Sequence, residues 1–199
     1  MPQPLILAST SDIRRTLLQN AGMDFDAIPA RIDEGPVKAA LLAEEATPRD
    51  IADALAEMKA MKISQKHPKA LVIGCDQVLN LQGRLLSKPQ TPEDARDQLC
   101  EMRGKRHDLL SAAVICEDGK PIWRHIGIAR MTMHSFSDAY LDGYIARNWQ
   151  SIRHSVGAYK LEEEGARLFS RVEGDYFTVL GLPLLDLLSY LTLRGDLEK

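Results

Sequence analysis

Between Leu71 and Asp76 the chain reads LVIGCD, five apolar or small residues in unbroken succession and then a carboxylate. A strand with one face in water alternates apolar and polar residues. An unbroken apolar run belongs instead to a central or parallel strand whose two faces are both covered. The same run poses a charge problem. A carboxylate at the end of a buried strand costs several kcal/mol unless a cation, a metal or a set of hydrogen bonds compensates it.

The segments around this strand alternate between strand and helix patterns. PLILAS reads as a short buried strand ending at the polar pair Ser9 and Thr10. Ser11 can cap the next helix, which carries Ile13, Leu17, Leu18 and Ala21 on one face and stops at Gly22. MDFDAIPARIDEGPV starts as a second strand and becomes a loop between Pro29 and Pro36. From Thr47 the pattern is strongly helical: Thr47 caps, Pro48 takes the first helical position and Asp50 completes a capping box. The predicted buried stripe is Ile51, Ala54, Leu55, Met58 and Met61, with Lys59 at its edge. TPEDARDQLCEM repeats the capped-helix signature and ends at Gly104. QVLNLQGRLLS predicts a hairpin at Gln82–Gly83, and two long strands after His107 meet at Glu117–Lys120, with Asp118–Gly119 as the turn. Further helices are expected at Ser137–Arg147 and Leu182–Arg194, the latter with Pro183 in its first turn. The expected fold is an α/β (α+β mixed) domain spanning residues 1–199, with a mixed, twisted central sheet flanked by helices and a cleft between two lobes.

A chain of 199 residues can bury roughly 70% of its unfolded surface without a disulfide or metal staple. Net charge is −3 and the pI about 6.0, so no global basic field draws it to nucleic acid or a membrane. An anionic ligand would need a local cluster of Lys and Arg. Cys75, Cys100 and Cys116 form no CxxC pair, which argues against zinc and for small buried apolar residues in a reducing compartment. The N-terminus lacks a basic signal region, and no stretch reaches the ~18 apolar residues of a membrane span. A cytoplasmic location is expected.

Ser9, Ser11, Arg14 and Arg15 stand where the first strand hands over to the first helix, a place suited to anions or, equally, to a capped helix with two solvated arginines. Neither GxGxxG nor GxxxxGK[ST] occurs. By pattern alone Lys59 is a surface lysine lying along the apolar stripe, and Asp33 and Glu34 are solvated loop residues. Taken together, Arg14, Lys59 and Lys88 can hold phosphate oxygens, while Glu34 and Asp76 can hold a hard divalent cation. That set suits phosphoryl chemistry.

These residues lie in a series of motifs. LASTSDIRRTLL, RIDE, LAEMKA, GCDQV, SKP, RGKRH and the block GAYKLEEEGARLFSRVEGDYFTVLGLPL follow one another along the chain. In this order they resemble the Maf family of nucleoside-triphosphate pyrophosphatases over nearly the whole length. The resemblance implies hydrolysis of a nucleoside triphosphate to the monophosphate and pyrophosphate with Mg²⁺ or Mn²⁺, water attacking the α-phosphorus. It implies Asp76 as proton acceptor, compensated by metal and by neighbouring lysines. It likewise implies Arg14, Lys59 and Lys88 as phosphate-contacting cations beside Ser9 and Ser11, and Glu34 as the metal- or water-facing carboxylate. Two departures stand out: Asp12 replaces the family's Pro, and Ile13 replaces an Arg found in many members. Ile13, Gln77 and Glu162 occupy the positions that sort substrates, and they agree with the branch that hydrolyses 7-methyl-GTP. Without that role Glu162 is a solvated residue of the acidic run Glu162–Glu164. His107 approximates a family position and is expected to be structural. The alternatives are a broad-specificity or dTTP/UTP enzyme, and a nucleotide- or nucleic-acid-binding regulator of cell division without turnover. The resemblance also suggests a homodimer, to which the long hairpin and the helix LPLLDLLSYL can contribute; core burial explains that helix equally well.

Overall fold

The apolar run becomes β3 (Leu71–Leu81), the central strand of a seven-stranded mixed sheet in the computed structural model, which describes residues 3–198. β1 (Leu5–Leu7) lies parallel on one edge, with β2 (Asp26–Ala27) parallel beyond it. On the other edge β5 (Arg106–Glu117), β6 (Lys120–Met133) and β7 (Phe169–Glu173) follow, each antiparallel to its neighbour. β4 (Arg84–Leu86) folds back onto the far end of β3. Its turn has positive φ at both Gln82 (53°) and Gly83 (94°), and the β5–β6 turn repeats this at Asp118 (50°) and Gly119 (69°). Positive φ at both central residues matches the right-handed twist of the strands they join.

Both faces of β3 are covered, as an unbroken apolar run requires. Val72 and Val78 pack with Ile51, Leu55 and Ala56 of α3 (Pro48–Ser64). Leu71, Ile73 and Cys75 pack with Leu17 and Leu18 of α1 (Asp12–Asn20) and with Leu187 and Leu191 of α7 (Leu184–Arg194). Leu79 and Leu81 enter a third cluster with Leu99 of α4 (Pro92–Met102) and Leu141 of α5 (Asp138–Ile152). The capping boxes predicted at Thr47–Asp50 and Thr91–Asp94 are both formed.

Two features of this packing place the site. A Cβ on Gly74 would lie 2.1 Å from the Ala56 carbonyl oxygen and 2.6 Å from the Ala60 nitrogen, so only glycine lets the α3 backbone rest directly on β3. β1 stops opposite Ile73, and β4, running the other way, ends opposite Leu79. Between them one edge of β3 has no strand partner among the described residues, and a cleft opens there.

Several expectations change. The loop between Pro29 and Pro36 gives way to α2 (Glu34–Ala43), in which Pro36 falls in the first turn, where a missing N–H costs nothing. The buried stripe of α3 runs through Ile51, Ala52, Leu55, Ala56 and Ala60, while Met58 is exposed. Close contact at Gly74 selects the small residues rather than the large ones. α5 continues to Ile152, and Pro183 sits at the N-cap of α7 rather than inside it. Cys100 is half-buried, and its Sγ accepts from Arg103 Nη2 at 3.0 Å. No described helix is long and apolar enough to cross a membrane.

Candidate active site

A cleft of about 760 Å³ opens at the break in the β3 edge. Ser9, Ser11, Ile13, Arg14, Glu34, Lys59, Asp76, Gln77, Lys88 and Glu162, drawn from six stretches of sequence, all line it.

The Cys75 carbonyl is the meeting point. Ser11 caps α1, its hydroxyl accepting from the Arg14 amide at 3.5 Å. Arg14 Nη1 then reaches Cys75 O at 3.2 Å and Ser9 Oγ at 3.4 Å, and Nε donates to Gly181 O at 2.7 Å. From the other side Lys59 approaches the same carbonyl at 3.4 Å. Its ammonium also donates to Asp76 Oδ1 and lies against Glu34 Oε1, both at 2.7 Å. All three ammonium donors are thus engaged, so a phosphate contact by Lys59 would replace one of these bonds. The Gly74 contact makes this possible, because it brings the α3 backbone close enough for Lys59 to point inward. The lysine that pattern alone places on the surface has a side chain only 12% exposed.

Asp76 is buried, and its two oxygens differ. Oδ1 is held by Lys59, whereas Oδ2 is enclosed with no hydrogen-bond partner among the described residues. Burial alone would raise the pKa of Glu34. The charge and hydrogen bond of Lys59 outweigh it, with help from Lys38 and Lys88, and hold this carboxyl below its ordinary value. Lys88 makes no ion pair among the described residues. Partial burial, then the neighbouring Arg14, pulls its ammonium below the usual lysine range, with Glu34 and Asp76 opposing. The cleft floor therefore offers Lys88 as a cation without a fixed partner.

Neighbouring residues on β3 point to opposite faces, so Asp76 meets Lys59 while Gln77 meets the last two carbonyls of α6 (Tyr176–Val179). Glu162 is separable from its acidic neighbours. Glu163 bonds Ser151 and Lys160, and Glu164 bonds Arg147 and Asn148, but Glu162 has no partner among the described residues and faces the cleft. Asp12 pairs with Arg15 at 3.0 Å and its side chain is 94% exposed, so its charge is directed to solvent. His107 is buried at 2.7 Å from the Tyr159 hydroxyl, and burial pushes its pKa down to about 4.

No group of three or more His, Cys, Asp and Glu converges on a metal-binding point among the described residues. Glu34 and Asp76 are two carboxylates, one with an unbonded oxygen. That suits a cation such as Mg²⁺, which takes one or two carboxylates and completes its shell with waters and phosphate oxygens. It does not suit zinc, which wants His or Cys.

Three contributors escape the sequence reading. Lys38 lines the cleft 3.6 Å from the second oxygen of Glu34, and Lys160 lines it beside Glu162. Ser111, fully buried behind Gln77, is signalled only by a hydroxyl within the apolar run LLSAAV.

Known proteins match this chain along its length. The family described as Maf-like protein matches residues 4–193. A nucleoside triphosphate pyrophosphatase of Roseobacter denitrificans is 70% identical over 199 residues, covering 100% of each chain. One of Ruegeria pomeroyi is 65% identical over 198 residues, again covering 100% of each. A 7-methyl-GTP pyrophosphatase of Brucella abortus is 48% identical over 191 residues, 96% of each chain. The chain belongs to the Maf-like protein family.

Proposed function

We propose that this protein hydrolyses a nucleoside triphosphate to the monophosphate and pyrophosphate, that it uses a divalent cation, Mg²⁺ or Mn²⁺, and that 7-methyl-GTP is its preferred substrate. The observation that carries the activity is the asymmetric Asp76: one oxygen pinned by Lys59, the other buried and unbonded. A cleft-lining carboxylate held in one orientation, with an oxygen that no described residue engages, is suited to take a proton from water that reaches it. Arg14 and Lys88 supply positive charge for the phosphates. Glu34 and Asp76 would hold the cation, which when bound neutralises phosphate charge and makes water more acidic. As water attacks the α-phosphorus, its proton passes to Asp76 and pyrophosphate leaves with the bridging oxygen. The names of the relatives at 70% and 65% identity support this activity.

The finer preference rests on Ile13, Gln77 and Glu162. Glu162 is an open carboxylate on the cleft wall. It can accept from the exocyclic N2–H₂ of guanine and favours the cationic methylated base, whereas uracil and thymine carry no exocyclic amine. The 7-methyl-GTP name of the relative at 48% identity agrees. The test is pyrophosphate release from GTP, 7-methyl-GTP, UTP and dTTP, with Mg²⁺ or Mn²⁺ and with EDTA. Asp76→Asn should slow release by about 10²- to 10⁴-fold, and Glu162→Gln should erode the preference for 7-methyl-GTP over UTP. A wild type as inert as Asp76→Asn across the panel would refute the activity. An unchanged ratio in Glu162→Gln would refute the base-reading role.

A further inference from the structure

The side-chain amide of Gln77 can offer a bound molecule either its NH₂ or its oxygen, and the fold has already engaged one of them. Nε2 lies 2.9 Å from Ser111 Oγ, 3.0 Å from the Val179 carbonyl and 3.2 Å from the Thr178 carbonyl. Carbonyl oxygens only accept, so the group facing them is the NH₂; turning the amide over would set oxygen against oxygen twice. Ser111 adds to the constraint. It is fully buried, and its hydroxyl proton goes to Thr178 O at 2.7 Å, leaving only lone pairs towards Gln77. Oε1 takes no hydrogen bond from any described residue and is not among the enclosed unbonded atoms. Gln77 lines the cleft, so this oxygen is what a ligand meets.

We infer that Ser111 is a positioning residue: with the Thr178 and Val179 carbonyls it locks Gln77 as a hydrogen-bond acceptor, and so selects bases that present an N–H donor. This rests on the nucleotide hydrolysis proposed above and deepens it. A 6-oxopurine has such a donor at N1. 2-Aminopurine keeps the exocyclic amine but carries a lone pair at N1, which would face the Gln77 oxygen. A site built around one hydrogen-bond polarity rejects the wrong partner because two acceptors are left opposed.

The experiment compares kcat/KM for GTP with that for 2-aminopurine riboside triphosphate in the wild type, Ser111→Ala and Gln77→Met. The wild type should favour GTP by roughly 10- to 100-fold, the span of one specific base contact. Ser111→Ala should lower that ratio by about threefold or more, since the amide is then held by two contacts instead of three and fixes its oxygen less well, and Gln77→Met should lower it further. Simple damage to the fold would depress both substrates alike and leave the ratio standing. An unchanged ratio in a folded Ser111→Ala would overturn the positioning role. Should that variant not fold, a ratio that survives Gln77→Met would overturn the inference instead. Equal use of both nucleotides by the wild type would overturn the acceptor assignment while leaving the hydrolytic activity intact. A wild type that releases pyrophosphate from neither, nor from any other nucleotide, would remove the activity and this inference together.

Discussion

Replacing Lys59 with methionine keeps most of the side chain's length and removes the charge that Asp76, Glu34 and the Cys75 carbonyl share. The side chains of Lys59 and Asp76 are 12% and 6% exposed, so theirs is a buried pair. Removing one partner of such a pair costs about 3–5 kcal/mol, because the other charge stays behind in a poor solvent. The Glu34 side chain is 37% exposed. Water screens it, and its share stays below ~1 kcal/mol. The cleft also admits some water to Asp76 once the ammonium is gone, which favours the lower part of the range, about 3–4 kcal/mol. For a chain of this size that lowers Tm by roughly 6–16 °C. Urea unfolding at pH 7.5 measures the loss, and the double variant Lys59→Met/Asp76→Asn isolates its cause. With neither charge present, at least ~2 kcal/mol should return. The sign with pH follows from Glu34, whose pKa in the folded chain is held below 4.5. Its contribution is present above that pH and is lost as pH falls through the depressed value, so the gap between wild type and Lys59→Met should narrow below pH 4.5. A single variant within ~1 kcal/mol of wild type, or a double variant no more stable than the single, would refute the buried-pair account.

His107, buried and neutral, has its pKa pushed from 6.5 to about 4. The stability it contributes is therefore complete above pH 6.5 and declines by up to ~3 kcal/mol as pH falls towards 4. His107→Gln should flatten that slope in urea unfolding at pH 7 and pH 4.5, and parallel profiles would count against it. Gly181 has φ of +97°, and a Cβ there would sit 3.3 Å from Arg14 Nη2. Gly181→Ala should cost about 1–2 kcal/mol and raise KM for the triphosphate through a displaced Arg14; an unaltered KM would show that the guanidinium does not depend on this anchor. Lys38→Met should lower kcat/KM by about three- to tenfold, mainly through KM, if the lysine swings from Glu34 to a phosphate oxygen. A KM equal to that of wild type would leave Lys38 as a partner of Glu34 only.

Local signals in the sequence carried much of the fold. The capping boxes at Thr47–Asp50 and Thr91–Asp94 are short-range hydrogen-bond devices, and the turns at Gln82–Gly83 and Asp118–Gly119 are set by residues that tolerate positive φ. α2 was not legible, because Asp33 makes no capping hydrogen bond and the helix buries no residue. β7 reads FSRVE, with only Phe169 buried, and is held by pairing with β6 rather than by its own pattern. The stripe on α3 departs from its apolar pattern at Met58 because large apolar side chains look like core, whereas the contact with Gly74 needs alanines. For the site, the residue types pointed to phosphoryl chemistry, and the resemblance to a family singled out side chains that line one cleft. What neither could give is convergence on the Cys75 carbonyl, or the engagement of Gln77 by two backbone carbonyls, since main-chain groups carry no residue identity.

Arg14 is braced by a carbonyl at residue 181, and Gln77 by carbonyls at residues 178 and 179. On a ribosome the strands and helices of the first half can begin to associate long before those carbonyls have been synthesised. The two side chains must then wait, unbraced, for nearly the whole polypeptide to emerge. A nascent chain can thus be well advanced in folding while its cleft is still unfinished, and the braced arrangement of that cleft arrives late in synthesis rather than gradually.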